Sequence, residues 1–74
     1  MEMFAERLKE LRTERGLKQR DLAAALQTTD DSVYSWEKGR SQPSIEMILK
    51  ICIYFEVSAD YLLGLENEVC EKLY

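Results

Sequence analysis

Residues 28–40 read TTDDSVYSWEKGR and gather carboxylates, hydroxyls, a phenol and two cations in one short stretch. At helical spacing Val33 and Trp36 form one face, and Asp30, Asp31, Ser32, Tyr34 and Ser35 form the other. Nothing around them is equipped for proton transfer. The chain has no histidine, no Gly-rich phosphate loop, and two cysteines, Cys52 and Cys70, without CxxC spacing. Histidine-dependent catalysis is excluded, and a metal site built on two thiols and carboxylates is not expected. The chemistry on offer is recognition, with no cofactor and no small-molecule substrate. Two aspartates in a helix's first turn have three readings. They favour the positive end of the helix dipole by about 0.3–1 kcal/mol each; or one accepts a hydrogen bond from a cytosine amino group; or they weaken the approach of a polyanion and leave recognition to shape or to a dimer.

A chain of 74 residues supports one domain, for which dimerisation is a common source of extra stability. Apolar residues make up 46%, enough for a packed core. No run of about 18 apolar residues suits a membrane span, and no signal-peptide pattern opens the chain, so a cytoplasmic location is expected. The net charge of −4 is unevenly spread. Residues 1–40 hold eight basic and eight acidic side chains, whereas residues 41–74 hold two and six. This balance disfavours indiscriminate polyanion binding but says little about a local face.

Helical periodicity dominates, and no alternation is long enough for a strand. Phe4, Leu8 and Leu11 give a first helix that Gly16 ends, with Leu17 plugging the turn. A second helix runs from about Lys18 to Leu26, facing inward through Leu22, Ala23 and Leu26. Thr29 is the expected N-cap of a third helix that reaches Trp36 or Glu37 and is closed by Gly39. Ser44 caps a fourth helix with Ile45, Ile48, Leu49, Cys52 and Phe55 as its apolar stripe. Val57 plugs the following turn, and Ser58 caps a short fifth helix ended by Gly64. Five helices make a compact all-α domain over residues 1–64. Leu65, Val69 and Leu73 then recur every four residues, which suits a helical tail over 65–74.

The second and third helices, joined by Gln27-Thr28-Thr29, form a helix-turn-helix, a unit that braces one helix across a duplex backbone while the next enters the major groove. Glu6 to Arg12, Leu17 to Ala23, Ser32 to Gly39, Pro43 to Glu46 and Val57 to Gly64 occur in the order and spacing of a known pattern. Together they resemble the lambda-repressor-like (Cro/XRE-type) DNA-binding family from about Phe4 to Gly64. That resemblance implies a five-helix fold and a sequence-specific regulator of transcription that represses by occupying double-stranded DNA. It places Asp30, Asp31, Ser32, Tyr34 and Ser35 on the base-reading side. Lys18, Gln19, Arg20, Lys38, Arg40, Ser41 and Gln42 fall against phosphates, and Arg12 and Glu37 form a structural ion pair. The paired aspartates depart from family habit, where neutral or basic residues are commoner.

Family members usually bind paired half-sites as two-fold dimers. Ile53 and Tyr54 stand outside the expected core stripe of helix four, and with Leu65, Val69 and Leu73 they compose a self-complementary apolar patch for a homodimer. A tail folded back over Ile53 and Tyr54 within one chain accounts for the same residues. A different function class also fits the acidic second half: a protein-interaction module, such as an antitoxin or regulatory partner, on the same fold.

Overall fold

The computed structural model describes residues 2–64. Among them the chain forms α1 (Glu2–Glu14), α2 (Gln19–Leu26), α3 (Asp30–Glu37), α4 (Ile45–Phe55) and α5 (Ala59–Leu62), without a strand. The tail over 65–74, with Leu65, Val69, Cys70 and Leu73, lies outside the described residues.

The helix starts follow from local hydroxyl chemistry. Thr29 Oγ1 accepts from the Ser32 amide at 3.2 Å, Ser44 Oγ from the Met47 amide at 3.1 Å, and Ser58 Oγ from the Tyr61 amide at 3.0 Å. Each bond satisfies a first-turn donor that the helix itself leaves open. α2 starts one residue later than Lys18, whose amide donates instead to the Asp21 carboxylate at 2.9 Å.

Two glycines are required by geometry. Gly39 takes φ +72° beyond the end of α3, and the next amide, that of Arg40, then turns back to the Ser35 carbonyl at 2.9 Å. Gly64 takes φ +83°, and a Cβ there would stand 2.7 Å from the Cβ of Met3. The end of α5 can therefore lie directly on α1.

The core draws on every helix: Phe4 and Leu8 from α1, Leu22, Ala23 and Leu26 from α2, and Val33 and Trp36 from α3. Ile51, Cys52 and Phe55 come from α4 and Leu62 from α5. Leu17 and Val57 pack against this core as turn plugs. Burial pushes the Cys52 thiol up, so it stays protonated and packs as a small hydrophobe. α5 spans only four residues and cannot hold itself. It is anchored by fully buried Leu62 and by the buried guanidinium of Arg7, which donates to the Tyr61 carbonyl and lies 4.3 Å over the Tyr61 ring.

The stripe expected on α4 requires correction. Ile45 and Leu49 are exposed at 78% and 54%, while Ile51, absent from that expectation, is fully buried. Only Glu46 and Lys50 interrupt an otherwise apolar helix, so periodicity leaves its rotation about its own axis undecided. Packing against α5 and α2 decides it.

Two residues other than glycine, Gln27 and Glu56, cap α2 and α4 at φ +60° and +57°. A side chain in this region costs about 1–2 kcal/mol. Glu56→Gly is therefore expected to stabilise the domain by about 0.5–1 kcal/mol, a rise of a few degrees in Tm by calorimetry. An unchanged or lower Tm would show that the Glu56 cap is not strained.

Candidate nucleic-acid interface

The exposed side of α3 divides chemically along its length. At its N-terminus, Asp30 and Asp31 face solvent, and Asp30 Oδ1 accepts from the Asp31 amide at 3.1 Å. Ser32 is half-buried and its Oγ lies 2.9 Å from Thr29 Oγ1, within the cap. One turn on, Tyr34 is 40% exposed. Lys38 Nζ stands 5.6 Å from the centre of its ring and the Arg40 guanidinium 5.7 Å, so two cations lean over one phenol. Ser41 Oγ donates to Ser35 Oγ at 2.8 Å and folds the following loop back toward the helix, with Gln42 exposed beside it. Seven residues separate Asp31 from Lys38, about 10 Å of helix rise. The Lys38 and Arg40 side chains lean back over part of that length, to the Tyr34 ring.

Behind this face, Glu37 organises the site. Arg12 of α1 donates from Nε to Glu37 Oε2 at 2.7 Å and from Nη2 to Oε1 at 2.9 Å. The third nitrogen, Nη1, reaches the Leu17 carbonyl at 2.8 Å. Gln19 of α2 adds a bond from Nε2 to Glu37 Oε1 at 3.2 Å. The Glu37 side chain is 3% exposed. Its hydrogen bond holds the Arg12 guanidinium above its ordinary pKa, against the lowering effect of burial. Bidentate pairing of this kind fixes direction as well as distance, so α1, α2 and α3 meet at one carboxylate. The Gln19 side chain is thereby occupied within the protein. At the start of α2 the Asp21 amide bonds the Lys18 carbonyl at 3.0 Å and the Lys18 amide the Asp21 carboxylate, which leaves the amides of Gln19 and Arg20 as its open first-turn donors, with the Lys18 and Arg20 side chains exposed beside them.

Trp36 belongs to the core, as the face it shares with Val33 requires. Arg15 takes a role the sequence reading left out: it donates to the Tyr54 and Phe55 carbonyls at 3.2 and 3.0 Å, closing the end of α4. Arg7 is a second cation that serves the fold, through the Tyr61 carbonyl. Its spacing from Phe4 and Leu11 puts it on the inward side of α1, the signal that could have identified it. Of the expected dimer patch, Ile53 is exposed, but Tyr54 is half-buried against Phe55, with ring centres 5.0 Å apart. Leu65, Val69 and Leu73 lie outside the described residues.

A family profile described as helix-turn-helix covers residues 8–62, from the middle of α1 to the end of α5. The chain belongs to the lambda-repressor-like helix-turn-helix family. It is 44% identical over 67 residues to repressor protein CI of Enterobacteria phage phi80, covering 90% of this chain and 28% of that one. It is 36% identical over 64 residues to the transcriptional activator BcrR of Enterococcus faecalis, covering 86% and 31%. The chain thus spans about a third of the length of these two relatives. Among solved structures it resembles the restriction-modification controller protein C.AhdI of Aeromonas hydrophila, with a TM-score of 0.74 and 33% identity over 82% of this chain and 92% of that one.

In this helix-turn-helix domain, removing one partner of the buried pair leaves the other charge without compensation. Glu37→Ala is expected to destabilise by about 3 kcal/mol, measured by urea unfolding through Trp36 fluorescence. Arg12→Met/Glu37→Leu, which removes both charges, should recover part of that loss. A Glu37→Ala cost below about 1 kcal/mol would place the pair among weak surface bridges.

Proposed function

We propose that this chain is a sequence-specific double-stranded DNA-binding module that regulates transcription, acting as a homodimeric repressor by occupying its operator in the cytoplasm. The observation that carries the reading is the exposed side of α3, with acceptors at its N-terminus and the Tyr34, Lys38 and Arg40 cluster at its other end, braced on α2 through Glu37. A recognition helix enters the major groove by its N-terminal residues while the preceding helix crosses the backbone. In that pose the amides of Gln19 and Arg20 meet a phosphate at the positive end of α2. Lys18, Arg20, Lys38, Arg40, Ser41 and Gln42 hold adjacent phosphates and fix register.

The base edges then face Asp30, Asp31, Tyr34 and Ser35. Asp30 already accepts a first-turn amide, which suits it to stabilising the helix. Asp31 is the reader, accepting from a cytosine amino group. Tyr34, ordered beneath two cations, offers its ring edge to a thymine methyl. Occupancy alone accounts for repression.

Selection from a random duplex pool tests this reading. The expected winner is a two-fold motif with cytosine at one position of each half-site. Its log–log salt slope is expected near −7, from four cations on each of two copies. Asp31→Asn should relax preference at that base pair by about 1–3 kcal/mol, whereas Lys18→Ala should weaken all sequences alike and reduce the magnitude of the salt slope by about 1. A promoter overlapping the selected site should lose output when the protein is supplied, and a gain would replace repression with activation. No enrichment, with binding lost near physiological salt, would refute the DNA reading.

A further inference from the structure

Two consecutive residues of the loop after α3 return to Ser35. The Arg40 amide donates to the Ser35 carbonyl at 2.9 Å, and the Ser41 hydroxyl donates to Ser35 Oγ at 2.8 Å. Gly39, at φ +72°, makes that reversal possible. Ser35 is half-buried and lies one turn beyond Asp31, on the same side of α3. The backbone bond thus brings the Ser41 hydroxyl to a residue on the candidate base-reading side.

The bond decides what the Ser35 hydroxyl has left to offer. A hydroxyl on a helix commonly spends its proton on a carbonyl of the preceding turn. Thr13 of α1 does so, donating to the Lys9 and Glu10 carbonyls at 2.9 and 3.1 Å. Ser35 does not: its oxygen accepts from Ser41, and no acceptor among the described residues takes its proton. Ser32 differs again, because its Oγ pairs with Thr29 Oγ1 inside the cap, where either oxygen can donate. A serine hydroxyl carries one proton and two acceptor lone pairs, and an unheld one suits base donors and acceptors alike. With one lone pair filled by Ser41, the Ser35 hydroxyl is polarised into a stronger donor. A base amino group facing it would leave that proton unpaired in a groove that excludes water, which costs more than the bond it forms returns.

We propose that Ser41 sets Ser35 as a hydrogen-bond donor, so that the base pair facing Ser35 is read for a keto base. In the major groove guanine and thymine present the O6 and O4 oxygens, whereas adenine and cytosine present amino groups. A donor at Ser35 selects the first two over the last two. Ser41 is then a positioning residue for base choice, although its own hydroxyl reaches no base. Its amide donates to no backbone carbonyl among the described residues and remains for a phosphate, in keeping with the proposed function. The inference deepens that function and rests on its DNA reading. α3 then carries two readers of opposite sense one turn apart, Asp31 accepting and Ser35 donating.

Single-base-pair variants of the selected duplex test the assignment. The parent should prefer guanine or thymine over adenine or cytosine at one position of each half-site, distinct from the Asp31 cytosine. Ser35→Ala and Ser41→Ala should each lower that preference about fivefold, and the double variant should lose no more than Ser35→Ala alone. Ser41→Thr, which keeps the hydroxyl, should retain the preference. A Ser41→Ala loss that is equal on all sequences, or that adds to the loss from Ser35→Ala, makes Ser41 a phosphate contact only and overturns the inference. An undiminished preference in Ser41→Ala also overturns it and leaves the DNA reading standing. A parent that selects no duplex overturns the DNA reading and the base choice with it. The three-bond Hα–Hβ couplings of Ser35 in the free chain still report on the hydroxyl pair in that case. A single side-chain rotamer that Ser41→Ala averages supports the pair, and averaged couplings in the parent refute it.

Discussion

The Glu37 carboxylate is held almost entirely out of solvent and accepts three hydrogen bonds, two from Arg12 on α1 and one from Gln19 on α2. A charge in that position is sustained only by a fully engaged partner, because desolvation costs several kcal/mol per ion. Its position at the last residue of α3 gives the arrangement its reach. α2 and α3 span eight residues each, too few to be stable alone. Core contacts from Leu22, Val33 and Trp36 bring them together, but apolar packing is non-directional. The forked guanidinium fixes α3 on α1, and the Gln19 amide group ties it to α2, so α3 presents one face.

The rest of the candidate site follows from how α3 ends. Gly39 in the left-handed region returns the Arg40 amide to the helix, and the Ser41 hydroxyl returns the loop to Ser35. Lys38 and Arg40 are thereby held over Tyr34. Acid at the N-terminus and base at the C-terminus agree with the helix dipole at both ends. The aspartates in the first turn are thus consistent with a stable α3.

Local chemistry was the legible part of the sequence. Thr29, Ser44 and Ser58 bond to amides three residues away, so a short window contains the whole interaction, and all three caps form. Gly39 and Gly64 were legible for the same reason. The rotation of α4 was not. With apolar residues at nearly every position, Ile45 and Leu49 read as well for the core as Ile51 does, and only packing on α2 and α5 separates them. Arg7 and Arg15 were hidden differently. Their partners are backbone carbonyls of Tyr61, Tyr54 and Phe55, 39 or more residues away, and carbonyls carry no signature in a sequence. Gln19 stood where a phosphate ligand is expected, yet its amide group serves Glu37, and that was visible only once α2 and α3 were placed together.

The measurement that tests the account most directly is amide-resolved NMR of the isotopically labelled chain titrated with its selected duplex. Saturable shifts are expected at residues 18–20, at 30–35 and at 38–42, while the Glu6 and Glu10 side of α1 stays unmoved. Shifts that leave residues 18–20 and 30–42 unmoved while the duplex binds would contradict the reading of α3 as the helix that meets DNA.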